Sequence, residues 1–168
     1  MELTIKQAIS YASQLKKRIS DAKKRAESSL NHKAVEKTPF SFEEMLEKSD
    51  QLSDELASVQ GKLAVANATN TVDYKGQTLI LSHAIRLLQE MKGRIAWLNG
   101  LPVQATESLT SNEREWDDTL DKYVMKKTVT FCNLPEAKRA ELVDALQDEF
   151  NLLNGAVELV NQVVKLTI

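Results

Sequence analysis

One cysteine, Cys132, stands alone in a chain of 168 residues, so no internal disulfide can staple the fold. Nothing else calls for an oxidising compartment, and the expected location is the cytoplasm. Met1 is followed by a charged amphipathic stretch instead of a short basic end and an apolar run, so no secretory signal is read. No stretch approaches the roughly 20 apolar residues of a membrane span. Histidine is nearly absent too. His32 and His83 have no neighbouring cysteine, and no Cys-x-x-Cys or His-x-x-x-His spacing occurs, so no metal is expected. Neither histidine follows a glutamate by three positions, which removes the Glu-x-x-His pattern of di-iron bundles. Gly-rich phosphate loops are missing. Asp117 and Asp118 are adjacent and would diverge on a helix, so they form no acid/base pair. Cys132 has no cationic residue nearer in sequence than Lys127, which favours a structural thiol over a nucleophile. With no nucleophile, base and orienting group visible together, the expectation is a protein that is not an enzyme and holds no cofactor.

The few glycines and prolines, five and three, leave long stretches without breakers, and the composition favours helices. Hydrophobic residues make up 42% and charged residues 27%, as in a globular domain, and nothing forces a second domain within residues 1 to 168. A formal net charge of -2 supplies no general attraction to nucleic acid or anionic lipid.

Four segments carry apolar seams at alternating steps of three and four, the spacing of one helical face. The first places Ile5, Ala8, Ala12, Leu15, Ile19, Ala22 and Ala26 on its seam. The second opens at Ser41 with Glu44 three residues on, a capping-box pattern, and Phe40 is placed to staple against Met45. Its seam runs Phe42, Met45, Ser49, Leu52, Leu56, Val59, Leu63 and Ala66, with Ser49 as the one polar member. The third is expected to start at Thr78 as N-cap and to carry Leu81, Ala84, Leu88, Met91, Ile95 and Leu98 before Gly100-Leu-Pro102 ends it. The fourth follows Pro135 and carries Val143, Leu146, Phe150, Leu153, Val157, Val160 and Val164.

Set antiparallel, the first two seams match Ala26 with Met45, Ala22 with Ser49, Ile19 with Leu52, Leu15 with Leu56, and Ile5 with Ala66. Charge favours the same pairing. Residues 4 to 31 hold seven Lys or Arg against two Asp or Glu, and residues 42 to 66 hold two against six.

Between the third and fourth seams, Trp116, Leu120 and Tyr123 have helical spacing after a possible cap at Ser111. By contrast, Lys126 to Phe131 alternates polar with apolar or β-branched residues, the pattern of a small strand or hairpin. The expected architecture is all-α: an antiparallel bundle of four long coiled-coil-like helices with a short irregular or small β insertion before the last.

Two surface features invite a functional reading. Lys16, Lys17, Arg18 and Lys23, Lys24, Arg25 are twin basic triplets seven residues apart, stacked on one helical face where they could meet phosphates. No aromatic residue interleaves them as a stacking platform would, so a solvated face is the expectation and nucleic acid is not an expected partner. The stretch from Ala66 to Thr78, ANATNTVDYKGQT, reads as a connector rich in hydroxyl, amide and carboxylate groups. Thr69, Asn70, Thr71, Asp73 and Lys75 are its candidate contacts for a partner or ligand.

The same stretch carries a family resemblance. The first seam, the second helix running into Ala66–Leu79, the segment LILSHAIRLLQEMKGRIAWL at Leu79–Leu98, and the closing LVNQVVKL at Leu159–Leu166 resemble the septicolysin-like family of small bacterial helical proteins. The most specific part is Thr69 to Val72 with Gly76 to Leu79. The family's name implies a membrane-active, cytolysin-like protein, while the resemblance carries over no catalytic or binding residue. A membrane enters as a partner under that implication alone. The regular seams instead point to a non-enzymatic interaction or assembly protein that forms a homo-oligomer.

Overall fold

The computed structural model describes residues 1–30, 40–103 and 108–168. In chain order the elements are β1 (Glu2–Thr4), α1 (Ile5–Ser29), α2 (Phe42–Thr69), β2 (Thr71–Tyr74), β3 (Gln77–Ile80), α3 (Leu81–Asn99), β4 (Ser108–Asp117), β5 (Lys122–Phe131), α4 (Glu136–Val163) and β6 (Lys165–Thr167). The chain divides into two compact units, one of Met1–Arg86 with Leu153–Ile168 and the other of Leu87–Leu152.

The expected four-helix bundle is wrong as a fold class. Among the described residues, four helices stand beside six strands in three antiparallel pairs, β1–β6, β2–β3 and β4–β5, so the protein is mixed α and β. The error has two physical sources. Three-residue and four-residue strands are too short to show a period of two, and the longest hairpin was read partly with the wrong period.

In the first unit, α1 begins at a reciprocal cap. The Gln7 N–H donates to Thr4 Oγ1 at 3.2 Å, and the Thr4 N–H donates to Gln7 Oε1 at 2.9 Å. Six of the seven seam residues of α1 are buried, Ile5, Ala8, Ala12, Leu15, Ala22 and Ala26. On α2 the buried residues are Met45, Ser49, Leu52, Val59 and Ala66, all members of its seam. Ala12, Leu15, Leu52 and Val59 form one core cluster, joined by Ile19, Leu56 and Leu63. Tyr11 of α1 bonds Glu55 of α2, whereas Arg25 shares a surface depression with Met45 and Lys48. The two helices therefore run antiparallel, with Ala12 and Val59 in the same core cluster.

Ser49 is the one polar residue among the buried seam positions of α2. Ser49 is 1% exposed, and its Oγ has no hydrogen-bond partner among the described residues. Leaving a hydroxyl buried without a partner is unfavourable, so Ser49→Ala should raise stability by roughly 1 kcal/mol. Urea denaturation tests this, and a clear loss of stability would show that the hydroxyl is bonded in solution.

The second unit is built from the C-terminal part of α3, the β4–β5 ribbon and the N-terminal part of α4. Here Arg139 Nη1 donates to the Asn99 carbonyl at 3.2 Å, next to the end of α3. That end forms where expected, with Gly100 N–H bonding the Ala96 carbonyl at 3.1 Å.

Candidate functional site

The stretch expected to be a plain connector is a hairpin. α2 continues through Thr69, three residues beyond its last seam position, and β2 and β3 then pair from Thr71 with Ile80 to Tyr74 with Gln77. Thr78 therefore lies inside β3 and does not cap α3. The turn is made by Lys75 and Gly76, with φ of 50° and 76°. Positive φ at both central residues matches the twist of the flanking strands, and the second position suits glycine.

Local structure already employs most of the five candidate residues. Thr69 Oγ1 donates to the Val65 carbonyl at 2.9 Å, and Asn70 Nδ2 donates to the Ala66 carbonyl at 2.8 Å. The Asn70 carbonyl accepts the N–H of Leu81 at 2.8 Å, tying the end of α2 to the start of α3. Thr71 is an exposed strand residue paired with Ile80. Asp73 Oδ1 accepts from Thr78 Oγ1 across the hairpin at 2.8 Å. Lys75 places its ammonium 5.5 Å from the Tyr74 ring centroid. Replacing Gly76 with Ala should cost about 1 kcal/mol, the penalty of a Cβ in the left-handed region. A thermal shift across the Gly76→Ala pair of proteins measures it, and an unchanged midpoint would show that the turn relaxes.

The six residues of the two basic triplets on α1 are all exposed, and the structure treats them unequally. Arg18 and Arg25 line a depression with Asp21 and with Lys48 of α2, over Ala22, Met45 and Leu52. Arg25 also lies 5.0 Å over the ring of Phe40. Lys16, Lys17, Lys23 and Lys24 do not line this depression. Nearby, the Tyr11 hydroxyl donates to the Glu55 carboxylate, and that bond together with the carboxylate charge raises the phenol above its ordinary value of 10.0. In a spectrophotometric titration, Tyr11 should ionise later than 10.0, and Glu55→Gln should bring it back toward that value. Identical titrations of the two proteins would show that the bond does not hold in solution.

Cys132 donates its thiol to the Leu134 carbonyl at 3.1 Å, and His83 is exposed on α3, while His32 lies outside the described residues. Among the described residues, no three His, Cys, Asp or Glu side chains gather where a metal ion could be held. No helix of these residues is long and apolar enough to cross a membrane.

A surface missed by the sequence reading is the β4–β5 ribbon. Trp116, Leu120 and Tyr123 do not form a helix, because Trp116 and Tyr123 pair across adjacent strands with Leu120 in the turn between them. Their rings meet edge to face at 4.9 Å. The turn is held by Asp117 Oδ1, which accepts the N–H groups of Thr119 and Leu120 at 2.9 and 3.2 Å. Strand alternation then sorts the ribbon into two faces. One face holds Trp116, Tyr123, Met125, Val129 and Phe131, each between 46% and 75% exposed, with Arg114 lying 6.0 Å over Tyr123. The other holds Glu113, Glu115, Lys122 and Lys126, with a 2.7 Å ion pair from Lys126 to Glu115. The signal for this face was present in the alternation at Lys126 to Phe131. It became legible only when paired with the residues opposite.

No family model and no curated protein matches the chain. A solved structure does: the crystal structure of a functionally unknown conserved protein from Corynebacterium diphtheriae aligns with a TM-score of 0.75 and 11% sequence identity, covering 99% of this chain and 100% of the other. At that identity the likeness establishes a shared fold and nothing further.

Proposed function

We propose that the chain is a non-enzymatic interaction protein that assembles with copies of itself through the β4–β5 ribbon. The observation that carries this reading is the exposed row Trp116, Tyr123, Met125, Val129 and Phe131 on one face of a two-stranded ribbon. An isolated hairpin is marginally stable in water, and a row of large apolar side chains on it calls for a covering surface. The burial pattern supports the same need. Of the sixteen hydrophobic residues buried in the described chain, only Leu98 belongs to the second unit. A unit so poor in core gains its stability by burying apolar surface against something else, and a second copy is present wherever the first is. The membrane-active, cytolysin-like role that the septicolysin-like resemblance implies is the competing reading, and the resemblance carries over no residue of this chain to support it.

Light scattering on the eluting full chain should return a multiple of the 18.9 kDa monomer mass. Replacing Tyr123, Met125 and Phe131 together with Thr, which keeps strand propensity, should shift that mass to the monomer. A monomer mass for the unaltered protein at every concentration removes the proposal.

A further inference from the structure

β6 leaves a free edge beside a groove, and the groove belongs to the first unit. In the β1–β6 ladder, Met1 and Ile168 exchange backbone bonds of 2.7 and 2.8 Å, and the Ile5 N–H donates to the Val164 carbonyl at 3.0 Å. These bonds turn the Val164 carbonyl and the backbone groups of Ile168, and of Leu166 between them, toward β1, while the Val164 N–H donates to the Val160 carbonyl. Antiparallel alternation then turns the N–H and C=O of Lys165 and Thr167 the other way, off the edge of the sheet. Neither makes a further backbone bond among the described residues. An edge strand with unpaired groups is a template for another strand.

Along β6 runs a groove of about 590 Å³ whose other wall is α2, through Gly61, Lys62, Val65 and Thr69. A Cβ added at Gly61 would meet nothing within 4 Å, so the missing side chain leaves room in the groove instead of admitting a close neighbour. A glycine inside a helix is otherwise unfavourable. Val65 is 63% exposed and uncovered. The charged residues lining the groove are Lys62, half-buried, and Lys165, with no carboxylate among them. Lys165 is engaged by Glu2 at 3.6 Å, which leaves Lys62 as the cation facing an occupant.

The geometry points to a docking site for an extended peptide that adds a third strand to the β1–β6 sheet, lays an apolar side chain on Gly61 and Val65, and brings a carboxylate to Lys62. Backbone groups at strand spacing are satisfied by another extended chain, whereas a docked helix keeps its own backbone groups internally bonded. The cationic lining selects an acidic residue in the occupant. None of the ribbon residues takes part, so the site stands or falls apart from self-assembly.

A phage library of random octapeptides, selected on the immobilised full chain, supplies the probe. Its enriched sequence is then synthesised with a fluorescein label for anisotropy titration. Enriched peptides should alternate apolar residues and carry Asp or Glu. Gly61→Leu should weaken binding by roughly tenfold or more, and Lys62→Glu should do so for acidic peptides. Methylating alternate peptide nitrogens should abolish binding in one register and spare it in the other. On the unaltered chain, hydrogen exchange at the Lys165 and Thr167 amides should slow when the peptide is bound, a readout that needs no variant. The proposal is overturned by no enrichment over uncoated wells, by equal binding to a folded Gly61→Leu protein, or by binding that leaves those two amides unprotected.

Discussion

The antiparallel seam between α1 and α2 is the contact on which the first unit is organised. Its centre is one cluster of Ala12, Leu15, Leu52 and Val59, and Ala22 and Ser49 are small buried side chains on the same two seams. Regular steps of three and four let the two seams face each other along their length in an antiparallel pair. From it follow the meeting of Tyr11 with Glu55, the depression shared by Arg18, Arg25 and Lys48, and the packing of Ile168 beside the core cluster. The β1–β6 pair begins where Thr4 caps α1, so sheet and helix share a starting point.

The second unit follows a different principle. Its ribbon is held together by main-chain pairing over ten residues, a four-residue turn fixed by Asp117, and cross-strand contacts such as Trp116 with Tyr123. Such contacts shape a ribbon without covering it. The apolar face that remains open is the physical basis for reading the protein as an assembly module, since a monomer gains nothing from displaying Phe131 and Met125 to water. The first unit, by comparison, buries its seams within one chain and offers an open sheet edge.

The helices were legible in the sequence because each repeats one signal many times. Leu81, Ala84 and Leu98 of α3 and Leu153 and Val157 of α4 are buried at positions that the spacing alone had marked. The start of α2 at Ser41 and Glu44 was equally readable, with the Ser41 N–H donating to Glu44 Oε2 at 3.4 Å. The candidate connector was located correctly and read wrongly. Asn70, Asp73 and Gly76 are all residue types that suit a turn, yet of the three Gly76 alone sits in it, while Asn70 is extended at the end of α2 and Asp73 lies in β2. Among the basic residues, the sequence placed Arg18 and Arg25 on one face but could not show which cation of α2 joins them in a single depression.

What the sequence by itself determined is therefore local and repetitive: the existence of the four helices, their buried faces, and the antiparallel pairing of α1 with α2, each supported by many apolar positions in step. What the tertiary structure alone decided is everything built from few residues meeting across long separations. β1 finds β6 from opposite ends of the described chain, and Trp116 finds Tyr123 across a turn that helical spacing disguises. Three-residue strands carry too few side chains to show a period, and their stability comes from backbone bonds to a partner whose position no local pattern encodes. The free edge of β6 and the open face of the ribbon are properties of those pairings, which is why both proposed surfaces emerge with the fold.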